Sequence, residues 1–369
     1  MKWLRYSVLS LALGSITSVQ AQTAPSLVTV AESREMIWNA VAVDDTDRVY
    51  VASPRWTGAQ GPSVAVLEAS GELRPYPDAA WNTPNAEVSP AQRFINVNAI
   101  HRDPNGGLWV VDTGVTGFGG TVLPGGAKLV RIDLKTGRVT RVYPLASDVA
   151  RQHSYVDDIR FHGAHAYLTD AGEPGLIVLD LTSGHARRVL DGAPQTTATP
   201  GREIILDGQV VRAPDGAAVK VNADPLEVSP DGRWFYFASL EGPWWRIETR
   251  WLDDAALTDQ QLQSHLEPWV DLPPVGGTTM DSRGNLYFSD LAANAIRRLT
   301  PGKRVQTIMV DSRLHWVDAP TLDKKGRLYL PVPQMDRVGS FHDGKSQIQW
   351  PIRLYRIDTP RAQSMRSSS

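Results

Sequence analysis

The chain contains no cysteine among its 369 residues. This absence excludes disulfide bonds, a thiolate nucleophile and any metal site that depends on cysteine ligands. A stable fold must therefore rest on packing, and the twelve tryptophans suit that role because each buries a large apolar area.

Neither sign of charge dominates the chain. It carries 38 basic and 40 acidic residues, which are scattered along its length, and its formal net charge is −2. Nothing in this pattern forms a basic face for nucleic acid or for an anionic membrane. We therefore expect a small-molecule ligand as the partner, with neither nucleic acid nor membrane, and we expect a monomer.

Long apolar runs are missing after residue 21, since no later segment approaches the roughly 20 residues that a membrane span needs. The first residues differ. Lys2 and Arg5 precede an apolar stretch, Val8–Ile16, and a short segment ending at Ala21 resembles a cleavage site. This pattern predicts a signal peptide over residues 1–21 and a product that is secreted or periplasmic in a bacterium.

The rest of the chain repeats one strand-pair pattern six times. In each copy, alternating apolar residues flank a turn of Asp, Asn, Gly or Pro, and an aromatic-rich strand follows. A repeat of this length built only from strands predicts a propeller. The six copies begin at Asn39, Asn98, Asp157, Asp224, Gly276 and Asp318.

Six further outer strands follow these hairpins, so the pattern predicts an all-β, six-bladed β-propeller. We expect residues 22–360 to form this single domain and residues 361–369 to be a polar tail. The last blade lacks one strand, while the apolar run Leu27–Val30 is unassigned. We predict that this run pairs with Arg353–Ile357 and closes the ring, which removes two unpaired sheet edges.

Two segments interrupt the repeat. The glycine-rich segment Thr113–Gly126 has no Lys-Ser/Thr ending, so it is interpreted as a long hairpin loop and not a phosphate loop. The Pro- and Thr-rich segment Asp191–Asn222 contains one short strand signal and is interpreted as an insertion before the fourth inner strand.

Five aromatic residues occupy one register beside the hairpin turns, where alternation sends side chains between neighbouring sheets. We predict that they are core residues and not site residues. They are Trp109, Tyr167, Phe235, Tyr287 and Tyr329.

Polar residues open the inner strands, which line the axis of a propeller. The side chains of Asn39, Asn98, Asp157, Asp224 and Asp318, with Gly276 in the remaining blade, should therefore form a ring at one mouth of the channel. Like charges in such a ring raise one another's pKa unless a cation neutralises them. The structural alternative is that each Asn or Asp caps a turn through its own side chain.

Residues on the loops beside these strands could form the walls of a pocket, because pockets combine apolar walls with a few converging polar groups. An Arg stacked on a Trp could equally be a packing device between blades. The candidate wall residues are Arg55, Trp56, Phe94, Tyr155 and Trp316.

Several phrases of the chain resemble the yellow and major royal jelly protein family. They include VASPRWTGAQGPSVAVL from Val51, GGLWVVDTG from Gly106, SPDGRWFYFASLEGPWWRIET from Ser229 and WVDAPTLDKKGRLYLPV from Trp316. The bacterial-type leader suggests a bacterial member, related to dopachrome tautomerases. The resemblance implies six blades with a ligand tunnel along the axis, and more distantly it extends to the gluconolactonase and regucalcin propellers.

The first functional hypothesis is an exported propeller that binds an amine or a catechol-like compound in its axial channel. A dopachrome-type isomerase is possible within it, with Asp157 or Asp318 as general base and Asn98 holding an oxyanion.

The alternative is a calcium-dependent lactonase in which Asn98, Asp157, Asp224 and Asp318 hold the ion. A secreted interaction module without catalysis is the third hypothesis. No cofactor is certain, and calcium is the one that the ring would suit.

Overall fold

The predicted six-bladed propeller is confirmed. The protein, described by a computed structural model over residues 25–117 and 119–359, has six four-stranded antiparallel sheets arranged around an axis. The predicted signal peptide, residues 1–21, and the tail, residues 361–369, lie outside the described residues.

Twenty-six strands are described, and all but two of them belong to the blades. The strands of the first half are β1 (Leu27–Ser33), β2 (Ala40–Val43), β3 (Val49–Ala52), β4 (Val64–Leu67), β5 (Leu73–Pro75), β6 (Val97–Arg102), β7 (Gly107–Asp112), β8 (Lys128–Asp133), β9 (Arg138–Pro144), β10 (Val156–His162), β11 (His165–Asp170), β12 (Gly175–Asp180) and β13 (Ala186–Val189). Those of the second half are β14 (Ile205–Leu206), β15 (Gln209–Val210), β16 (Ala223–Val228), β17 (Trp234–Ser239), β18 (Trp244–Glu248), β19 (Glu267–Val270), β20 (Val275–Met280), β21 (Leu286–Asp290), β22 (Ala295–Leu299), β23 (Val305–Val310), β24 (Thr321–Leu322), β25 (Arg327–Val332) and β26 (Ile352–Asp358).

Blades 1 to 5 each follow the chain from an inner to an outer strand. They are β2–β5, β6–β9, β10–β13, β16–β19 and β20–β23, while blade 6 is ordered β24, β25, β26 and β1. The helices described are short: α1 (Ala79–Asn82), α2 (Thr249–Asp253) and α3 (Asp259–Ser264). Within the described ranges, no helix has the length and apolar character that crossing a membrane requires.

The predicted closure of the ring is also confirmed. β1 pairs antiparallel with β26, with Leu27 opposite Ile357 and Ser33 opposite Ile352. The N-terminal strand is thus the outermost strand of the last blade, and it covers an edge of β26 that would otherwise be unpaired.

In four of the six blades, the turn between the first two strands begins at an aspartate that accepts hydrogen bonds from the backbone of the turn. Asp103 accepts hydrogen bonds from the backbone N–H groups of Asn105 and Gly107, both at 2.8 Å. Asp323 accepts in the same way from Lys325 and Arg327. A side chain that mimics a turn of the backbone in this way explains why Asp recurs at this point of the repeat.

The predicted core aromatics lie between the blades. Trp109, Tyr167, Phe235, Tyr287 and Tyr329 are each at most 3% exposed. Tyr167 of blade 3 packs on Phe235 of blade 4, with ring centroids 5.4 Å apart. The register beside the turn therefore supplies the contacts that join neighbouring sheets.

The insertion at 191–222 contains a small hairpin, β14 paired with β15, where one short strand had been predicted. Ile204, Leu206, Val211 and Val219 of this segment are buried against Trp316 and the 335–341 turns. The insertion therefore packs over one mouth of the propeller.

Candidate functional site

The inner strands of neighbouring blades contact each other around the axis, which brings the residues predicted for the ring together. Asn39 Nδ2 donates to the carbonyl oxygen of Asn98 at 2.5 Å and to its Oδ1 at 3.2 Å. Asn98 Nδ2 in turn donates to Asp157 Oδ1 and to the Asp157 carbonyl oxygen. Asp157 and Asp224 share a hydrogen bond between their carboxyl groups.

Irregular strand pairing turns these side chains toward the axis. In β6 the register shifts between Val97 and Ala99, at Asn98. β10 and β16 show the same shift at Asp157 and at Asp224. A bulge of this kind re-aims a side chain, which explains how a residue within a β-ladder comes to face the channel.

Gly276 has no side chain to place in the ring; instead it lets the backbone of blade 5 approach the backbone of blade 6 closely. A Cβ there would lie 2.5 Å from the carbonyl oxygen of Val317, and one on Gly277 would lie 2.6 Å from that of Asp318. Blade 5 can therefore approach blade 6 closely enough to bring Asp318 to the ring only because these two positions are glycine.

Aspartates at the ends of the second strands hold the ring segments in place, a role that the sequence analysis missed. Asp112 accepts from the backbone N–H groups of Ile95 and Asn96, just before β6. Asp170 accepts from the N–H of Tyr155, just before β10, at 2.8 Å. The repeated aspartate that ends the phrases WVVD and YLTD was a signal for this contact.

A cavity of about 380 Å³ lies above the ring. Its floor contains Asn98, Asp157, Asp224, Gly276 and Asp318, and its walls are largely apolar. The aromatic and sulfur-containing wall residues are Trp56, Tyr155, Trp316, Met335 and Phe341.

Three predicted site residues do not line this cavity. Phe94 is 1% exposed and packs against Trp81 between blades 1 and 2, so it is a core residue. Arg55 donates to the carbonyl oxygen of Asn82, which ties a loop of blade 1. Asn39 belongs to the hydrogen-bonded ring but lies beside the cavity, with its Oδ1 buried and unpaired among the described residues.

Trp56 and Trp316 lie at the wall of the cavity, where the sequence predicts them. Trp56 Nε1 donates to Tyr155 Oη at 2.8 Å, and the indole ring packs edge-on to Phe341. Trp316 has a φ of 58°, a conformation that is rare for a bulky side chain and that clusters at functional sites. Both indoles are therefore held by the surrounding structure at the cavity wall.

The roof of the cavity was not foreseen. Val219, Lys220, Val221 and Asn222 of the insertion line it, and so does Leu240 of blade 4. His315 connects the roof elements, because its ring nitrogens lie 3.2 Å from Asp207 of the insertion and 2.8 Å from Asp336. The composition of the insertion indicates that it departs from the repeat, but it does not indicate that the insertion packs over the cavity.

A second polar layer, which the sequence analysis also missed, lies one to three residues farther along the inner strands than the ring. Arg160 pairs with Asp158 at 2.6 Å and with Glu227 at 3.0 Å. Its guanidinium also donates to the carbonyl oxygen of Thr278 and contacts His101. These residues come from blades 2 to 5, so one arginine joins four blades.

The three ring carboxyls are shifted toward the protonated form. Burial raises the pKa of Asp157 to about 7, and the hydrogen bond from Asp224 limits this rise. Burial, together with the negative charge of Asp157, raises the pKa values of Asp224 and Asp318 well above the usual range. A buried group of carboxyls cannot ionise completely without a nearby cation.

Calcium takes roughly six to eight oxygen ligands, some of them from water, and hydrogen bonds within the ring already occupy part of the oxygens that would bind it. The amide oxygen of Asn98 already accepts from Tyr155 Oη at 2.7 Å and from Asn39 Nδ2. The amide nitrogen of Asn98 faces Asp157. Across the described part of the chain, no group of three or more His, Cys, Asp or Glu side chains is placed to hold a metal ion.

The fold and the site together define a six-bladed β-propeller with a roofed axial cavity whose floor is acidic. The family model of the major royal jelly proteins matches residues 95–362. The chain belongs to the major royal jelly protein family, as the resemblance implied.

The curated relatives are insect proteins. Protein yellow of Drosophila melanogaster is 30% identical over 144 residues, which is 36% of this chain and 26% of that protein. Protein yellow of Drosophila pseudoobscura is 29% identical over a segment of the same length. The matched segment thus spans about a quarter of the insect proteins.

Solved structures share the architecture at low identity. A luciferin-regenerating enzyme is 11% identical with a TM-score of 0.55, covering 91% of this chain and 96% of that one. A gluconolactonase from Xanthomonas campestris is 13% identical with a TM-score of 0.54, covering 91% and 90%. Regucalcin from Agrobacterium tumefaciens is 12% identical with a TM-score of 0.52, covering 89% and 93%. These similarities establish the fold alone.

Proposed function

We propose that this protein binds a small organic cation, an amine with an aromatic or catechol-like body, in the axial cavity. The observation that carries the proposal is the pairing of an acidic floor with aromatic walls. Asp157, Asp224 and Asp318 converge on the floor, while Trp56, Trp316 and Phe341 stand above them. An ammonium group would satisfy the carboxyls, and the ring of the ligand would pack against the indoles.

The magnitude of the charge interaction favours such a ligand. A unit charge about 4 Å from a carboxylate gains roughly 4 kcal/mol at an effective dielectric constant of about 20. About 1.4 kcal/mol corresponds to a tenfold change in affinity. Removal of the charge from the ligand should therefore weaken binding by at least tenfold.

The proposal is tested by calorimetric titration, which measures the affinity of the protein for dopamine and for its neutral N-acetyl analogue. We expect dopamine to bind and the neutral analogue to bind at least tenfold more weakly. Asp157→Asn and Asp318→Asn should abolish the preference, whereas Asp45→Asn, on an exposed turn, should leave it intact. Equal affinity for both ligands, or no binding by folded protein, would overturn the proposal.

The same titration separates the alternative functions. Tighter binding of calcium than of dopamine, with hydrolysis of a sugar lactone, would support the lactonase. Absence of binding to any of these compounds would leave a structural or interaction role.

Isomerisation of the bound compound is a second candidate, and it is favoured by the raised pKa of Asp157, about 7, which suits a general base at neutral pH. Asp157 would remove a proton from the bound ring system, and Asp224, which holds a proton beside it, would return one. Dopachrome conversion is followed by its absorbance. A rate in the Asp157→Asn variant equal to that of the unaltered protein would exclude this candidate.

Export is proposed on the strength of the N-terminal pattern at residues 1–21. Fractionation of expressing bacteria should place the protein outside the cytoplasm, with a mature N-terminus after Ala21. The same preparation should elute as a monomer in size-exclusion chromatography.

A further inference from the structure

The insertion rests at its base on the loop that follows β17. Thr199 Oγ1 donates to the carbonyl oxygen of Gly242 at 2.7 Å, and the Arg202 guanidinium donates to that of Glu241 at 3.2 Å. On the returning arm of the insertion, the N–H of Val221 donates to Glu241 Oε1 at 3.4 Å. Both arms of the insertion therefore meet at Glu241.

The carboxyl group of Glu241 is enclosed at this base. The residue is 1% exposed, and its Oε2 has no hydrogen-bond partner among the described residues. The nearby cations have other partners, since Arg202 forms a bidentate ion pair with Asp271 and Lys220 donates to the carbonyl oxygen of Arg202. Burial raises the pKa of Glu241, because its ionisation places a charge without a partner between the insertion and blade 4.

The tip of the insertion, the β14–β15 turn, meets a buried histidine. His315 Nε2 lies 2.8 Å from both carboxylate oxygens of Asp336, and His315 Nδ1 lies 3.2 Å from Asp207 Oδ2 in the turn. Because Nε2 holds a hydrogen to donate to Asp336, Nδ1 holds one only in the protonated ring. The neutral ring presents a lone pair to the Asp207 carboxylate, and this lone pair can accept from Arg337 Nη2 at 3.5 Å. Protonation of His315 therefore attracts the tip, and deprotonation releases it.

The other charged groups around His315 are arginines that have carboxylate partners. Arg313 and Arg353 line the cleft beside the imidazole, and they pair with Asp311 and Glu32. Arginine keeps its charge near neutral pH, whereas histidine is the side chain that ordinarily changes its charge there. The contact at the tip is therefore sensitive to pH through its imidazole.

We propose that the insertion is a pH-sensitive lid over the axial cavity, which is closed at acid pH and opens as the pH rises. At acid pH, Glu241 is neutral at the base and His315 is charged at the tip, and both states hold the insertion on the propeller. As the pH rises, Glu241 acquires a buried charge and His315 loses the proton that faces Asp207, so both changes favour the open lid. The opening of the lid does not depend on which compound the cavity binds.

Hydrogen exchange followed by mass spectrometry tests the lid without any ligand. Each measured rate is divided by the intrinsic rate at the same pH. Peptides containing Val211 and Val219, whose N–H groups are bonded within the insertion, are compared with peptides of β12 in blade 3. From pH 5 to pH 8, we expect the protection of the insertion to fall at least tenfold more than that of β12. An equal fall in both would show a general loosening of the propeller and would overturn the proposal.

Two variants separate the base from the tip. Glu241→Gln stays neutral at every pH, so it should match the unaltered protein at pH 5 and keep more of the insertion's protection at pH 8. His315→Gln retains a donor to Asp336 but cannot acquire a charge. It should lower the protection at pH 5 by up to about fivefold, because Asp207 is half exposed and an exposed pair contributes little. Should His315→Gln fail to fold, Asp207→Asn removes the same contact from the exposed side and should have the same effect.

Matched controls are available for both substitutions. Glu267→Gln changes an exposed glutamate that pairs with Arg246, and His185→Gln changes an exposed histidine in the turn after β12. Both controls should keep the pH dependence of the unaltered protein. A pH dependence of the insertion that is the same in Glu241→Gln, in His315→Gln and in the controls would show that neither contact operates the lid, and the proposal would be wrong.

Discussion

The ring aspartates destabilise the folded protein as the pH rises, because burial favours their protonated form. Asp157 has a folded-state pKa of about 7 against an ordinary value of 3.8. Between these two values the folded state holds more protons than the unfolded state, so the free energy of unfolding falls as the pH increases. The contribution of Asp157 is complete below about pH 4 and is lost once the pH has passed about 7.

The first prediction follows from this sign. Asp157→Asn cannot ionise and keeps an acceptor for Asn98 Nδ2, so it should unfold at higher denaturant than the unaltered protein at pH 8, with a smaller difference at pH 5. Each unit of pKa shift corresponds to about 1.4 kcal/mol, so the gain at pH 8 is at most a few kcal/mol. Urea unfolding at both pH values measures it.

Asp45→Asn is the control for this measurement, since Asp45 is exposed beside Arg102 and Lys324. A gain in stability for Asp157→Asn that is equal at pH 5 and pH 8 would show that the charge of Asp157 plays no part.

The element that closes the ring is β1, which supplies the outermost strand of blade 6. Its pairing covers β26 from Ile352 to Ile357, and an exposed ion pair joins Glu32 to Arg353 at 2.8 Å. A propeller without this strand leaves a long unpaired edge on its last blade.

The second prediction concerns a chain that begins at Arg34. It should unfold at clearly lower urea concentration than a chain that begins at Pro25 and retains β1, and it should aggregate more readily. Equilibrium unfolding and light scattering of the two chains provide the comparison. Equal midpoints would mean that β1 does not contribute to closure.

The insertion is the second element that separates this chain from a plain propeller. Ile204 is fully buried and packs in the cluster that joins the insertion to Trp316 and Phe341. Removal of its side chain loosens the roof while the blade interfaces remain.

The third prediction is that Ile204→Ala increases the dissociation rate of a bound amine at least tenfold, as followed by tryptophan fluorescence after rapid mixing. Leu262→Ala is the matched control, because Leu262 is equally buried but lies in α3, in the core cluster between blades 3 and 4. Each substitution should cost about 2–5 kcal/mol of stability or less. Equal dissociation rates in both variants would show that the insertion does not retain the ligand.

Across the whole molecule, the layer around Arg160 connects four blades through one buried charge. Two carboxylates, Asp158 and Glu227, face a single guanidinium whose side chain is 7% exposed. Removal of one partner from such a network is costly because the remaining charges stay buried and unpaired.

The fourth prediction is that Arg160→Met lowers the free energy of unfolding by about 3–5 kcal/mol. The further change Glu227→Gln should restore part of the loss, since it removes one of the stranded charges. Arg74→Met is the control, because its ion pair with Glu68 is exposed and should be worth at most about 1 kcal/mol. A cost for Arg160→Met no larger than that of Arg74→Met would contradict the role of this layer.

The fold could be predicted from the sequence because its information is local and repeated. Each hairpin carries its own turn residues, its alternating apolar residues and its core aromatic, as in the segment from Asp103 to Trp109, where the turn begins at an aspartate. Six copies gave six blades, and the one missing strand pointed to β1. Family membership was likewise evident in phrases such as the one from Val51, although that resemblance carried no information about the ligand.

The candidate site was only partly accessible to the same reasoning. Asn98, Asp157, Asp224 and Asp318 were found because they recur at one position of the repeat, and Trp56, Tyr155 and Trp316 because they adjoin it. Phe94 and Arg55 look the same in sequence, yet one packs in a core and the other ties a loop. A side chain's position beside a strand does not reveal whether the bend of its loop turns it toward the axis or toward the next blade.

The roof, the layer around Arg160 and the protonation of the ring depend on tertiary structure alone. The insertion folds over the axis through contacts with residues far along the chain, such as Trp316 and Phe341. Arg160 meets Glu227 and Thr278 only because the ring closes. The pKa values of three aspartates depend on their burial and mutual distances, which no local pattern encodes. Repetition along the chain specified the blades, whereas the chemistry at their centre arises where the blades meet.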